Sequence, residues 1–428
     1  MNELLTLPAT TLADLVRPVL AEADEGVSSA PAAVEAFAYA AWSGIAEPGD
    51  STGGLLRRTL GAAGSLRLVL EAAALPEAAA TGLIVRALLA TGDTDATRHR
   101  VDRALARWRP RLDATRITTS FTAARALGLR VVTPTSADWP EVFDELGDHA
   151  PAALWLRGHG RLPVTARSVA LVGARAATRY GEQVAADLSS ALGVRGATIV
   201  SGAAYGIDGM AHRAALAADA ATVAVMANGV DRFYPSGHDD LLRRVIDSAD
   251  GLMISESPCG TTPSRWRFLQ RNRLIATLTS ATVVVEAGNR SGSLNTANHA
   301  AQLGRPVGAV PGPITSPSSA GCHRLIRAGL ATCVTSAADV VELLGAPSAE
   351  GEAGAERQPS LFDDGTPEQA RVRDALSTRT ARSVDEVTAA SGLSRSDTRG
   401  VLAELELAGA VEERPGGWVK RRRTSSRS

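Results

Sequence analysis

The chain has almost no lysine, few aromatic residues and few cysteines. Lys420 is the single lysine among 45 basic residues, and aromatic residues make up 4% of the 428 positions. Cys259, Cys322 and Cys333 show no Cys-x-x-Cys spacing and cannot all pair, which argues against a zinc site and a disulfide framework. Because a coding bias across a genome can replace lysine by arginine, the arginine content is not by itself evidence of nucleic-acid binding.

The sequence also lacks a large net charge and long apolar runs. The formal net charge is −1, so any binding of nucleic acid must come from a local basic surface. No run approaches the ~18 apolar residues of a membrane helix, and the first residues lack a basic segment followed by an apolar one. We therefore expect a cytoplasmic protein without membrane association.

The length predicts two or three domains. Residues 1–112 have helical periodicity and predict a small helical domain, and residues 113–345 predict a larger α/β domain. Residues 346–366 have the Ala, Gly, Pro and acidic composition of a flexible linker. Residues 367–421 predict a winged helix, with three helices and two short strands, and residues 422–428 form a basic tail.

Six apolar runs dominate the α/β segment: SVALVG, ATIVSG, ATVAVMA, GLMIS, ATVVVEA and RPVGAVPG. Helical segments fall between most of them. Near-continuous apolar strands that alternate with helices are typical of a parallel sheet covered on both faces. The predicted fold class is therefore α/β, with an extended Rossmann-like, doubly wound sheet of about six strands. Two further strands, 130–133 and 153–157, are predicted before it, separated by a short helix after Pro140.

Glycine-rich loops follow several predicted strands. The carboxyl ends of parallel strands meet at one edge of a sheet, and free amides at a helix start bind anions. The loops therefore predict a phosphate-binding edge; they read VGARAAT, SGAAYGIDGMAH, NGVDRFYP, EAGNRSGSLNTA and VPGPITSPSSAGCHRLI. None has the dinucleotide-binding or P-loop pattern, so no nucleotide cofactor is expected.

The titratable residues near these loops predict structural roles. Asp208 and His212 are four residues apart and share a helix face, but no third metal ligand accompanies them, so a structural carboxylate–imidazole pair is favoured over a metal site. Glu256 and Glu286 end predicted strands, where such carboxylates accept hydrogen bonds from loops or neutralise arginines. No Gly-x-Ser-x-Gly elbow is present.

The segment SRWRFLQRNRLIA, residues 264–276, concentrates four arginines. We expect a helix that starts at Arg271, preceded by a less regular stretch with Trp266 and Phe268 that suits stacking and charge. Arg271 and Arg273 lie about 200° apart on a helix. One of them is therefore expected to contact phosphate while the other pairs with a strand-end carboxylate, Glu256 or Glu286.

The ordered motifs VGAR, SGAAYGIDGMAH, NGVDRFYP, RNRLIA, VVEAGNRSGSLNTA, VPGPI and GCHRLIRAG resemble those of the DNA-processing protein A (DprA/Smf) family, chiefly over residues 130–345. The resemblance implies an extended Rossmann fold that binds single-stranded DNA without catalysis or a cofactor. It also implies that the protein loads the RecA recombinase onto incoming strands during natural transformation, and that it forms a homodimer.

The resemblance implies that Arg175 contacts the DNA strand. Together with the loop and arginine-segment residues, the expected DNA- or phosphate-binding set is Arg175, Ser201, Gly202, Tyr205, Gly206, Arg232, Arg265, Arg267, Arg271, Asn272, Arg273, Ser291, Gly292, Ser293 and Thr296. The expected supporting set is Gly173, Asp208, His212, Glu256, Glu286 and Gly312.

Three positions depart from the family pattern. Many relatives carry a basic residue where this chain has Tyr205, Ser236 and Gln270. Tyr205 could stack a base instead, which gives single-strand binders their sequence-tolerant affinity. The missing charge is expected from nearby arginines, namely Arg232, Arg265 and Arg267.

Two other functions remain open from the sequence. A nucleotide phosphoribohydrolase of the LOG type has a similar Rossmann domain, but its catalytic glutamate has no counterpart in NRSGSLNTANHA. A transcription regulator would use the winged helix, whose candidate recognition helix, 394–407, mixes two arginines with three carboxylates.

A short peptide in the linker adds a further candidate partner. QPSLF resembles the Q-x-x-L-F peptides that dock on the replication sliding clamp. Gln358, Leu361 and Phe362 are its predicted anchors, in an acidic segment suited to such capture.

Overall fold

The computed structural model describes residues 3–20, 29–89, 97–163, 165–345 and 366–421. The chain divides into two compact units, 1–348 and 349–428. The predicted clamp peptide with Gln358, Leu361 and Phe362, most of the predicted linker and the basic tail lie outside the described residues. In the described parts of the chain, no helix combines the length and apolar character that crossing a membrane requires.

A nine-stranded sheet forms the centre of the first unit. Its strand order is β11-β10-β9-β5-β6-β7-β8-β4-β3. The first seven strands of this order are parallel, and β4 and β3 are antiparallel additions at one edge. The strands are β3 (Arg130–Val132), β4 (Leu154–Arg157), β5 (Ser168–Val172), β6 (Thr198–Ser201), β7 (Thr222–Val225), β8 (Gly251–Ser255), β9 (Ala281–Val284), β10 (Val307–Ala309) and β11 (Thr332–Cys333). A separate hairpin pairs β1 (Glu3–Leu4) with β2 (Leu7–Pro8).

The sheet confirms the predicted α/β class and its six apolar strands. The short strand β11 adds a seventh parallel strand that the apolar pattern had not predicted. The two predicted early strands are β3 and β4, which extend the same sheet. Between them, the predicted helix after Pro140 is a stretch of 3-10 turns, Glu141–His149.

In the described part of the first unit, seven α-helices precede or flank the start of the sheet, and seven alternate with its strands. The first group is α1 (Ala9–Val16), α2 (Ala30–Ile45), α3 (Ser51–Leu60), α4 (Ala62–Ala73), α5 (Glu77–Leu89), α6 (Thr97–Trp108) and α7 (Ala114–Ala126). The second group is α8 (Arg179–Val194), α9 (Ile207–Ala217), α10 (Asp239–Asp247), α11 (Arg265–Thr277), α12 (Ser293–Gln302), α13 (Ala320–Arg327) and α14 (Ala337–Leu343).

Strand β5 is buried on both faces, which explains its uninterrupted apolar sequence. Side chains alternate between the faces of a strand. Val169 and Leu171 pack with residues of α8 and α9, whereas Ala170 and Val172 pack with residues of α11 and α12. The two helical layers therefore meet at this central strand.

The N-terminal helices share a hydrophobic core with the sheet. Phe37 of α2 stacks on Phe121 of α7 with ring centroids 5.0 Å apart, and Phe121 contacts Trp155 of β4 at 5.6 Å. The Trp155 indole N–H donates to the Ser43 hydroxyl over 3.0 Å. The same buried cluster includes Met253 of β8. The boundary at residue 112 stays a prediction.

The second unit has the winged-helix arrangement that the sequence predicted. Its helices are α15 (Pro367–Ala375), α16 (Val384–Ser391) and α17 (Arg395–Leu407), and its antiparallel wing pairs β12 (Val411–Arg414) with β13 (Gly417–Lys420). Helix α16 begins with a capping box between Ser383 and Glu386, which satisfies amides at the helix start. Val372, Leu402 and Trp418 are buried in its core.

Because the N-terminal helices and the sheet share a core, the thermal stability of a fragment should depend on whether it contains both. We expect a fragment of residues 113–345 to unfold at a lower temperature than residues 1–345, because removing the N-terminal helices uncovers Phe121 and Trp155. Thermal unfolding followed by circular dichroism, together with binding of a hydrophobic dye, measures this. Equal melting temperatures without dye binding would show instead that residues 1–112 form an independent domain.

Candidate functional site

A groove of about 870 Å³ opens at the carboxyl ends of β5 and β9. The chain runs from β5 outward through β6, β7 and β8, and then returns to place β9 on the other side of β5. The strand order therefore reverses between β5 and β9, and ligands of open α/β sheets bind at such a switch point. The fold thus puts this groove where the glycine loops were expected to converge.

The residues that line the groove come from the end of β5, from five loops and from three helices, α9, α11 and α12. Ten of the predicted site and supporting residues lie on its wall: Gly173, Arg175, Asp208, Arg265, Arg271, Asn272, Ser291, Gly292, Ser293 and Thr296. Several other residues of the wall were not predicted as site residues, including Tyr234, Gly288 and Arg290, and Phe268 comes from the stretch that was expected to suit stacking. Arg290 could have been found, since it stands in the predicted anion loop between β9 and α12. Tyr234 could have been found as well, since it stands in the predicted loop NGVDRFYP after β7.

Three exposed arginines surround the groove. Arg175 follows β5, Arg265 begins α11, and Arg290 precedes α12. Within the described residues, none of the three forms an ion pair with a carboxylate. Arg175 instead lies over the Phe268 ring, 4.9 Å from its centroid, a cation–π contact that orients the guanidinium. The groove therefore presents uncompensated positive charge to solvent.

Arg271 forms the floor of the groove. It is buried, and its Nη1 donates to the carbonyl oxygens of Gly202 at 2.6 Å and Val225 at 2.5 Å. Its Nε donates to Asn272 Oδ1 over 3.1 Å. Burial lowers the pKa of Arg271 to about 10, with the nearby charge of Arg175 acting in the same direction. Arg271 therefore remains a cation at neutral pH.

Gly202 and Asp208 hold the floor from the other side. The Gly202 N–H donates to the Asp208 carboxylate over 3.2 Å. A Cβ at position 202 would come within 2.1 Å of the Arg271 guanidinium, so a side chain here would displace Arg271. Burial raises the pKa of Asp208, and the charge of Arg271 opposes that shift.

The start of α12 opens into the groove. Asn272 Nδ2 donates to the Gly292 carbonyl over 3.2 Å, which joins α11 to the loop before α12. The Ser291 and Ser293 hydroxyls share a hydrogen bond of 2.7 Å. Gly292 has the N-cap position and supplies no side-chain cap. Amides and hydroxyls at a helix start suit the oxygen atoms of a phosphate.

Gly206 sets the turn from β6 into α9. Its φ is +74°, and a Cβ would lie 2.3 Å from the Ala174 carbonyl oxygen. The next amide, that of Ile207, donates to the same oxygen over 3.2 Å. The loops after β5 and β6 therefore pack backbone to backbone, as only glycine allows at this place.

The expectation that α11 starts at Arg271 is wrong. The helix begins at Arg265, where the Ser264 hydroxyl accepts the Arg267 N–H over 3.3 Å. Trp266 and Phe268 are therefore on the helix as well. Trp266 and Phe268 had indicated an irregular segment, but the Ser264 cap stabilises a helix start before them.

Arg267 and Arg273, the second and fourth arginines of residues 264–276, point away from the groove. Arg267 donates to the Glu47 carboxylate with Nε and Nη2 at 3.1 and 2.8 Å, so it does not supply the missing DNA-facing charge. Arg273 forms a buried ion pair with Glu256. That pair confirms the expectation that either Arg271 or Arg273 joins a strand-end carboxylate.

Three further predicted binding residues, Ser201, Tyr205 and Arg232, also lie off the groove wall. The Ser201 hydroxyl is buried and donates to the Leu171 carbonyl over 2.6 Å. Tyr205 is exposed and packs edge-to-face on His238 with centroids 4.8 Å apart. Arg232 is exposed, with its Nε 3.6 Å from an Asp231 carboxylate oxygen.

Ser236 and Gln270, two of the positions that depart from the family pattern, lie in different parts of the first unit. Ser236 is exposed and begins a 3-10 turn, and the following Gly237 N–H donates to the Tyr205 hydroxyl over 3.2 Å. Gln270 lies against Gly49 of the N-terminal segment, where a Cβ would come within 2.2 Å of its Oε1. Gln270 therefore faces the N-terminal helices.

The other supporting residues hold neighbouring loops. The Glu286 carboxylate accepts the Thr178 N–H at 2.9 Å and hydroxyl at 2.7 Å, and the Ser318 hydroxyl at 3.1 Å. The Gly312 N–H donates to His323 Nε2 over 3.4 Å. These contacts fix the loops after β5, β9 and β10 around the groove.

Asp208 and His212 do not form the predicted pair. The Thr222 hydroxyl donates to the Ile199 carbonyl over 3.0 Å, so its oxygen is left to accept the His212 Nδ1–H over 2.8 Å. His212 Nε2 is buried and has no hydrogen-bond partner among the described residues. Burial lowers the pKa of His212 to about 3, and its imidazole is therefore neutral.

The buried neutral imidazole of His212 should make the free energy of unfolding depend on pH. Between about pH 6.5 and pH 3 the unfolded chain binds a proton at His212 that the folded chain does not, so stability falls as the pH falls through this window. We expect His212→Gln to reduce the loss between pH 7 and pH 4, by on the order of a few kcal/mol. Urea unfolding at several pH values measures this. The exposed His99→Gln is the control, and an equal pH dependence in all three proteins would contradict the prediction.

Residues 130–345 match the family described as DNA recombination-mediator protein A, and residues 355–417 match the DprA winged helix domain. The chain is 49% identical over 304 residues to the putative DNA processing protein DprA of Mycobacterium tuberculosis, which covers 68% of this chain and 77% of that relative. Protein Smf of Escherichia coli is 37% identical over 281 residues, with coverage of 64% and 72%.

A solved structure has the same fold. The X-ray structure of DNA processing protein A (DprA) from Streptococcus pneumoniae has a TM-score of 0.53 and 28% identity to this chain. The match covers 71% of this chain and 95% of that one.

Proposed function

Because this chain belongs to the DNA recombination-mediator protein A family, we propose that it binds single-stranded DNA in the groove at the ends of β5 and β9. The observation that carries the proposal is the set of three exposed arginines on one groove. Arg175, Arg265 and Arg290 have no carboxylate partner among the described residues, and a guanidinium is suited to a phosphate. The charge of Arg271 below them adds to the attraction for an anion.

The aromatic residues of the groove favour a single strand over a duplex. Phe268 and Tyr234 lie on its wall, with ring centroids 5.6 Å apart. A base can stack on such a ring only when its face is uncovered, which a duplex does not permit. Phosphate contacts and stacking together give affinity that tolerates any sequence.

The acidic residues around the groove support a binding function without catalysis. Asp208, Glu256 and Glu286 each accept hydrogen bonds from the fold. Helix α12, SLNTANHAAQ, contains no carboxylate, which argues against a phosphoribohydrolase of the LOG type.

The proposal extends to recombination. Membership of this family supports a role in which the protein, as a homodimer, loads the RecA recombinase on the bound strand during DNA uptake. The winged helix contributes less to duplex recognition in this proposal, since Arg395 of α17 is paired with Asp385 at 3.0 Å.

The groove arginines predict how binding depends on salt. We expect Arg175→Ala and Arg290→Ala each to weaken binding to oligo-dT by about tenfold at low salt. Each should also lower the slope of log affinity against log salt by about one, because one fewer counterion is released. Fluorescence anisotropy over a salt series measures both quantities.

Arg195→Ala is the matched control. Arg195 follows the last turn of α8, at the opposite edge of the sheet from the groove, so its loss removes the same charge from a distant place. If Arg195→Ala weakened binding as much as the groove variants, net charge rather than the groove would explain the affinity. If the unaltered protein failed to bind oligo-dT at low salt, the proposed function would be wrong.

The proposed loading of RecA can be tested separately from DNA binding, through the rate at which RecA hydrolyses ATP. Adding this protein should raise the rate at which RecA hydrolyses ATP on oligo-dT already coated with a single-strand-binding protein, and Arg175→Ala should reduce that gain. A protein that binds oligo-dT but leaves the RecA rate unchanged would retain the binding function and lose the loading function.

A further inference from the structure

A second cavity of about 500 Å³ adjoins the groove at the start of α11. One wall is Trp266, and the other is the segment that joins α2 to α3, residues 47–51, with Arg107 of α6 beside it. Ser264 lines both this cavity and the groove. The two spaces therefore meet at one residue, and the second one reaches the N-terminal helices.

The side chain of Trp266 is largely exposed to solvent. It is 55% exposed, whereas the other five tryptophans are buried or half-buried. Within the described residues it makes no hydrogen bond, ring contact or cation–π contact. Successive residues of a helix lie about 100° apart, so Arg265 faces the groove while Trp266 faces the second cavity.

The wall opposite Trp266 is fixed by hydrogen bonds. His149 Nδ1 and the Gly49 carbonyl oxygen are 2.9 Å apart. The Asp50 carboxylate caps α3 at the Thr52 N–H, 3.1 Å away, and accepts the Trp108 indole N–H over 3.1 Å. The wall therefore needs no rearrangement to receive a ligand, which keeps the entropic cost of binding low.

The carboxylates of this cavity do not repel an anionic strand. Glu47 is paired with Arg111 and Arg267, and Asp50 is paired with Arg107 at 2.8 Å. Burial raises the pKa of Glu47, but the hydrogen bonds and charges of Arg267 and Arg111 outweigh it and hold the pKa below its usual range. Three guanidinium groups therefore accompany two carboxylates, and arginine is in excess around this cavity.

We infer that the second cavity is a subsite for one nucleobase, which stacks on Trp266 as the DNA strand leaves the groove past Arg265. The inference rests on the proposed function, because it extends the path of the same strand. It makes the N-terminal helical segment part of the DNA-binding surface, through residues 47–51 and Arg107. The stacking is independent of base identity, since every base has a π face.

The affinity of Trp266 variants for oligo-dT tests the subsite. Trp266→Ala should bind roughly fivefold to a hundredfold more weakly, because one base loses its stacking partner. Trp266→Phe keeps an aromatic face and should bind within a few-fold of the unaltered protein. Because the side chain is exposed, circular dichroism should show the same fold in all three proteins.

An abasic oligonucleotide separates stacking from charge. It offers the same phosphates without bases, so the unaltered protein and Trp266→Ala should bind it equally. Arg175→Ala, in contrast, should remain weaker on the abasic strand. A loss for Trp266→Ala that was the same on both strands would overturn the stacking role.

Tryptophan fluorescence gives a direct readout of the stacked base. Oligo-dT should quench the emission of the unaltered protein, and most of the quenching should disappear in Trp266→Phe, since the other five indoles are buried or half-buried. Binding of oligo-dT that neither quenches emission nor weakens in Trp266→Ala would overturn the subsite and leave the proposed function intact. No binding of oligo-dT by the unaltered protein would remove the proposed function itself.

Discussion

The buried guanidinium of Arg271 is the interaction on which the site depends. It joins the middle of α11 to the carbonyl oxygens at the ends of β6 and β7, so one cation fixes a helix against two strands. Removing a charge from water is costly unless it is hydrogen-bonded and paired. The carbonyls of Gly202 and Val225, the Asn272 amide oxygen and the nearby Asp208 carboxylate provide that compensation. Gly202 has to be a glycine because this cation occupies the space of its side chain.

The four arginines of one helix have four different surroundings. Arg265 is at the groove, Arg271 is below it, and Arg267 and Arg273 pair with Glu47 and Glu256. The helical repeat of about 100° per residue distributes them around the axis. A cluster of like charges in the sequence therefore does not form one basic face. The positive surface combines Arg265 with two arginines from distant loops.

The sequence predicted the alternating strands and helices of the sheet and the glycine loops at its edge. The apolar run of β5 follows from burial on both faces, and the glycine loops identified the edge where the groove lies. The start of α11 was not predicted, because Trp266 and Phe268 obscured the Ser264 cap. The partners of the buried groups were not predicted either: His212 bonds Thr222 rather than Asp208. Periodicity shows that a residue is buried, but only the tertiary fold decides which neighbour it meets.

The shared core of the N-terminal helices and the sheet has an evolutionary consequence. Phe37, Phe121 and Trp155 form one aromatic contact chain across α2, α7 and β4, so a change in the size of any one ring alters the fit of the others. These segments must therefore be inherited together, and a gene fusion that exchanged one without the other would join mismatched halves of a core. The winged helix has a core of its own, and it is the part of this protein that a genome can add, lose or replace as a module.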